Sequence, residues 1–139
     1  MKKVPVVIAW IVNAFENSSQ HSEYYVDLKT GDVKFFSPLD FPEHIEIMEK
    51  LDKQTSRYIK LPKIEKAFSL RVKKDYIATI VDEDLRRRLE NEFETDAKYR
   101  KILMGYEDER HEWYKFQNEK YADYLKKWFT ARGIKIVDK

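Results

Sequence analysis

Residues 23–33 read Glu23-Tyr24-Tyr25-Val26-Asp27-Leu28-Lys29-Thr30-Gly31-Asp32-Val33. Alternation sets Tyr25 and Asp27 on one face against Tyr24, Val26 and Leu28 on the other, as in a half-buried strand. Lys29-Thr30-Gly31-Asp32 is turn chemistry, and Gly31 supplies the positive φ that a tight hairpin needs. The stretch predicts two antiparallel strands, Tyr24–Leu28 and Val33–Ser37. A short third strand is expected at Arg57–Leu61, where Pro62 ends it. From Glu65 onward the apolar spacing is helical almost to the end. The expected fold class is therefore α+β.

On the N-terminal side of the hairpin, Val4–Val12 is almost wholly apolar. It reads as the core of a first helix over Val4–Phe15, with Pro5 in the first turn, where proline is tolerated. Met1-Lys2-Lys3, the apolar run and Val12-Asn13-Ala14 also have the outline of a secretory signal. The run is nine residues long, against the ~18 that span a bilayer. The helix reading goes with a cytoplasmic protein, the signal reading with a secreted one.

On the C-terminal side, Asp40 is an expected N-cap for a helix over Pro42–Lys53, with Ile45, Met48 and Leu51 at helical spacing. Phe68, Val72, Tyr76, Ile77 and Ile80 make the next stripe. Asp82 then caps a helix carrying Leu85, Leu89 and Phe93. Asp96 opens another, with Tyr99, Ile102, Leu103 and Tyr106, and Gly105 ends it. The last helix is expected over Asp108–Arg132, its stripe formed by Tyr114, Tyr121, Leu125 and Trp128. Gly133 stops it, and Ile134–Val137 can form an edge strand. The expectation is a single domain over 1–139, with a helix-plus-sheet portion (1–63) and a mainly helical portion (64–139). A small antiparallel sheet packs with an N-terminal helix and a C-terminal helical bundle.

Composition narrows the function. The chain has 139 residues, 37% of them charged and 14% aromatic. The charged share exceeds the usual value of about 25%, but a disordered chain lacks such aromatic content. The absence of cysteine excludes disulfides, thiol catalysis and cysteine-bound zinc. A net charge of +2, with the signs interspersed, lacks the excess by which proteins grip a phosphate backbone.

Glu23–Val33, Arg57-Tyr58-Ile59-Lys60-Leu61-Pro62, Tyr76–Asp82, Leu85–Leu89 and Trp113-Tyr114-Lys115-Phe116, followed by Tyr121, Trp128 and Gly133-Ile134, occur in an order that resembles the uncharacterised bacterial protein family numbered 0158. The resemblance covers about residues 5–137. Members of that family often carry a glycine and two phenylalanines among basic residues before the last helix. Here that stretch is Asp96-Ala97-Lys98-Tyr99-Arg100-Lys101, without them. The resemblance supports the fold and implies no activity, cofactor or site.

Three constellations could carry chemistry. Glu107, Asp108 and His111 are spaced for a shared metal on a helix, but the second histidine of H-E-x-x-H is missing. Acids also suit a helix N-terminus, so no metal ligand is assigned. Arg86, Arg87 and Arg88, with Lys98, Arg100 and Lys101, could merge into a basic face that contacts nucleic acid. Flanking carboxylates at helical spacing favour a neutralised face instead. Trp113, Phe116 and Tyr124 fall beside the expected core stripe of the last helix, and are candidates for a second helix packing there or for a protein interface. No phosphate-loop, dinucleotide or nucleophile-elbow motif is present, so no catalytic residue or cofactor is expected. The leading reading is a non-enzymatic interaction or regulatory module whose partner is a protein, itself or another. The alternatives are a nucleic-acid-associated protein and a hydrolase-like enzyme whose carboxylates converge only in the fold. No segment is expected to span a membrane.

Overall fold

The computed structural model describes residues 1–139. In chain order the elements are β1 (Lys2–Val6), α1 (Ile8–Glu16), β2 (Glu23–Asp27), β3 (Val33–Phe36), α2 (His44–Asp52), β4 (Tyr58–Lys60), α3 (Lys66–Ile77), α4 (Glu83–Glu92), α5 (Asp96–Met104), α6 (Glu107–Thr130) and β5 (Ile134–Asp138). The class is α+β. The chain forms two compact units, one of residues 1–64 with 121–139, the other of residues 65–120.

In the first unit the hairpin stands where its alternation placed it. β2 pairs antiparallel with β3 and with β4, in the order β3-β2-β4. Tyr25, Phe36 and Leu51 form a small core, with Met48 and Tyr58 packed against it. Asp27 closes the turn twice through its backbone, its N–H donating to the Asp32 carbonyl and its carbonyl accepting from Gly31. Its side chain accepts from the Lys29 N–H at 2.9 Å.

The first helix requires correction. Residues 2–6 form a strand, and the helix begins only at Ile8. Val4 and Val6 are buried while Lys3 and Pro5 are exposed, which is a period of two. Short apolar runs do not separate strand from helix by periodicity, and Pro5, in a strand paired on one side only, is sterically at home. β1 pairs parallel with β5, Val4 opposite Ile136 and Val6 opposite Asp138. The sheet component is thus an antiparallel trio plus a parallel pair. Val7 offers no side-chain cap to α1; instead Asp138 Oδ1 accepts from the Ile8 N–H at 3.1 Å. A carboxylate there also meets the positive end of the helix dipole. Phe15 of α1 stacks on Tyr124 and meets Tyr121 edge-on, with centroids at 5.2 and 5.4 Å. The cap of α2 is likewise Glu43, while Asp40 accepts from the Ser37 hydroxyl.

In the second unit Asp82 caps α4 as expected, accepting from the Asp84 and Leu85 N–H groups. Lys73 is buried, yet its ammonium donates to the Phe93 carbonyl at 3.2 Å and pairs with Asp96 at 3.1 Å. Its cation also lies over the Tyr99 ring. The three contacts bind α3 to the end of α4 and the first turn of α5. Tyr76 packs on Trp113 and Phe116, and its hydroxyl donates to the Glu109 carbonyl at 2.6 Å.

The stripe of α6 is met at Tyr121 and Leu125 and differs at its two ends. Its buried line is Trp113, Gln117, Tyr121, Leu125 and Phe129, each four residues from the last, while Tyr114 is 38% exposed and Trp128 half-buried. Gln117 lies on that line and breaks its apolar pattern, which is why a reading by hydropathy takes Tyr114 in place of Trp113.

Two glycines adopt positive φ, Gly31 at 82° and Gly133 at 77°. A Cβ on Gly31 would collide with the Pro5 carbonyl oxygen, whereas one on Gly133 meets open space. Gly133→Ala should therefore lose only the left-handed penalty of about 1–2 kcal/mol. Gly31→Ala should lose clearly more, because backbone must shift as well. Urea denaturation of both variants checks the ordering, and equal losses would contradict the close approach.

Candidate functional site

The surface of the first unit concentrates apolar side chains in one short segment. Of ten exposed large hydrophobic residues in the chain, Phe35, Leu39, Phe41, Ile45 and Ile47 lie within thirteen positions of one another. Leu39 is 72% and Ile45 50% exposed. Leu39, Ile45 and Met48, with Pro38, form one wall of a groove of about 360 Å³, and Gln20, His21, Ser22 and Glu23 line the rest. Helical spacing brought Ile45, Met48 and Leu51 to one side of α2, but only Leu51 is buried.

The loop that carries Leu39 and Phe41 is held firmly. The Ser37 N–H donates to His44 Nδ1 at 3.0 Å, and the Ser37 hydroxyl to Asp40 Oδ2 at 2.7 Å. The Phe41 N–H donates to the Ser37 carbonyl, and the His44 N–H to that of Phe41. The His44 ring meets Phe36 edge-on and Phe41 at a tilt. Residues 39–52 carry five carboxylates and one lysine. Glu43, Glu46 and Glu49 are exposed.

In the second unit, a groove of about 340 Å³ between α4 and α5 is lined by Arg88, Asn91, Glu92, Lys98, Lys101 and Ile102. The six basic residues singled out in sequence thus divide. Arg88, Lys98 and Lys101 converge on this groove, whereas Arg86, Arg87 and Arg100 do not line it. Carboxylates attend most of the set: Arg86 with Glu90, Arg88 with Asp84, Lys98 with Glu92, Arg100 with Asp96.

The aromatic trio of α6 divides too. Trp113 is 3% exposed and packs on Tyr76 and Tyr99, so its surface is taken within the chain. Phe116 rests on Tyr76 and Tyr124 on Phe15, each half-buried. Five exposed aromatic and aliphatic residues lie instead at 35–47, across the end of the expected second strand and the start of the helix expected over Pro42–Lys53. Their signal was available: acids at 43, 46 and 49 alternate with Ile45, Ile47 and Met48, leaving no clean apolar face.

His111 and Glu107 approach to 3.7 Å, both exposed, and no three acids or histidines gather as metal ligands. The carboxylate-pair alternative needs two buried acids in one cavity. Asp27 is the buried carboxylate, at 3% exposure, and it is bound at two points, by Arg57 Nε at 3.2 Å and Nη2 at 3.0 Å. The Arg57 hydrogen bonds hold its carboxyl down at about 2, against a burial effect that acts upward. Next to it on β2, the Tyr25 hydroxyl donates to Asp52 at 2.7 Å, and burial with that carboxylate pushes the phenol far above its ordinary range.

The chain matches the uncharacterised protein family UPF0158 over residues 3–139 and belongs to it. No curated protein and no solved structure matches it. No helix is long and apolar enough to cross a membrane.

Because the folded Asp27 carboxyl sits below its ordinary 3.8, its pairing stabilises the fold fully above that value. The contribution is lost as pH falls from 3.8 to about 2. Arg57→Gln should lower the melting temperature at neutral pH, because Asp27 stays buried without its partner. That deficit should shrink through the same acidic window, as Asp27 is protonated. A deficit independent of pH would show that Arg57 acts by packing alone.

Proposed function

We propose that this protein is a non-enzymatic interaction module, and that its docking face is the segment 35–48 of the first unit. The observation that carries this reading is the cluster of exposed apolar side chains on a loop pinned by Ser37, Asp40 and His44. Of these, Leu39 and Ile45 meet Pro38 and Met48 along one groove, and an apolar groove wall of this kind marks interaction sites. A hydrogen-bonded loop presents it with little ordering cost on binding.

Charge states the partner's chemistry. Exposed Glu43, Glu46 and Glu49 share the segment that carries Leu39, Ile45 and Met48, and Lys50 pairs loosely with Glu46 at 4.0 Å. The complementary occupant is an amphipathic protein segment with an apolar face and basic flanks. Leu39, Ile45 and Met48 receive the apolar side chains, and the glutamates meet the cations.

A synthetic amphipathic Leu/Lys helix, with a Leu/Glu helix as control, tests the proposal by fluorescence anisotropy. The basic peptide should bind saturably and more weakly as salt rises, and the acidic one should not bind. Leu39→Asp with Ile45→Asp should weaken binding by about tenfold or more, the loss expected when central apolar anchors go. The melting temperature should hold, because both side chains are already in water. Equal binding of the two peptides, or an unaffected double variant, would overturn the assignment.

A further inference from the structure

We infer that the groove between α4 and α5 is a binding site for a phosphate-bearing ligand of about mononucleotide size, independent of the docking face. Arg88, Asn91 and Glu92 stand three and four positions apart on α4, so they share a face. Lys98, Lys101 and Ile102 do the same on α5. These two faces line one cavity of about 340 Å³, at the small end of the range of about 300–1,000 Å³ found for ligand sites. Three cations and one carboxylate line it.

The chemistry of the lining is that of a phosphate site with an organic neighbour. The Arg88 guanidinium can grip two phosphate oxygens at once. Lys98 and Lys101 act as point charges, Asn91 offers an amide, and Ile102 gives an apolar floor. The present ion pairs do not block this use. Arg88–Asp84 at 3.3 Å and Lys98–Glu92 at 3.5 Å join side chains that are all 41% exposed or more, and pairs in water are weak and exchangeable. A dianionic phosphate outcompetes a single carboxylate for the same cations. Glu92 then becomes the internal competitor, releasing Lys98 when the ligand enters.

The phosphate could belong to a free nucleotide or to a nucleic-acid strand, and titration calorimetry at low salt separates the two. The probes are inorganic pyrophosphate, ADP and a short oligoadenylate. ADP should bind one to one. Arg88→Gln and Lys101→Gln should each weaken it about tenfold, the loss of one charge-assisted contact. Glu92→Gln should tighten it, a gain that a structural role for Glu92 would not produce. Arg87→Gln, outside the groove, should change nothing. If oligoadenylate displaces ADP at equal phosphate concentration, the site stands and its source is a strand. Absence of saturable binding by every probe, or an equal loss in Arg87→Gln and Arg88→Gln, would overturn the site.

Discussion

The parallel pairing of β1 with β5 is the constraint on which the first unit depends. It joins residues 2–6 to residues 134–138, and the ladder continues on both sides through Lys2 N–H to the Gly133 carbonyl and Lys139 N–H to that of Val6. Val4, Val6, Ile134 and Ile136 are buried by it. Through Asp138 it caps α1, which has no cap of its own. Through the Pro5 carbonyl it fixes how near the hairpin turn can come, so Gly31 answers two demands at once: a left-handed backbone and a missing Cβ. The Lys139 ammonium, donating to the Thr30 carbonyl at 3.2 Å, adds a second tie to that same turn.

What could be read in the sequence was whatever has a local cause. The hairpin was legible because strand alternation, turn residues and Gly31 all agree within eleven positions. The cap at Asp82 was legible because a carboxylate beside orphan N–H groups is local chemistry. β1 was not, because its identity comes from a partner strand more than a hundred residues away. The α6 stripe was legible at Tyr121 and Leu125 but not at Trp113, which Gln117, a polar residue on the same buried line, separates from them. The apolar face at 35–48 was hidden for the opposite reason: its residues look like core, and only the fold shows that Leu51 alone takes that role in α2. The convergence of Arg88, Lys98 and Lys101, as against Arg86, Arg87 and Arg100, follows from helix packing that no spacing encodes.

The charge distribution gains meaning once it is placed. A net charge of +2 conceals two local imbalances of opposite sign. The segment 39–52 is acidic around an apolar wall, and the α4–α5 groove is basic around an apolar floor. Elsewhere some carboxylates and cations pair at helical spacing, as Arg86 with Glu90 and Arg100 with Asp96 do, or are locked together as Asp27 and Arg57 are. Such pairing adds little stability at the surface, but it clears the background against which two unbalanced places stand out. The aromatic surplus of α6, by contrast, is absorbed in packing by Phe15, Tyr76 and Tyr99.

The strand pair also dictates an order of events during synthesis. Ile8 and Asp138, joined by a hydrogen bond, are 130 positions apart, so β1 is made long before its neighbour. Residues 65–120 are all synthesised before β5. The nascent chain therefore carries an open strand edge at residues 2–6 until residues 134–138 emerge. An unpaired edge is adhesive toward other chains, and contacts so distant in sequence form slowly. Lys2 and Lys3 at that edge, with Pro5 between Val4 and Val6, are residue types that discourage an open strand from pairing with another chain.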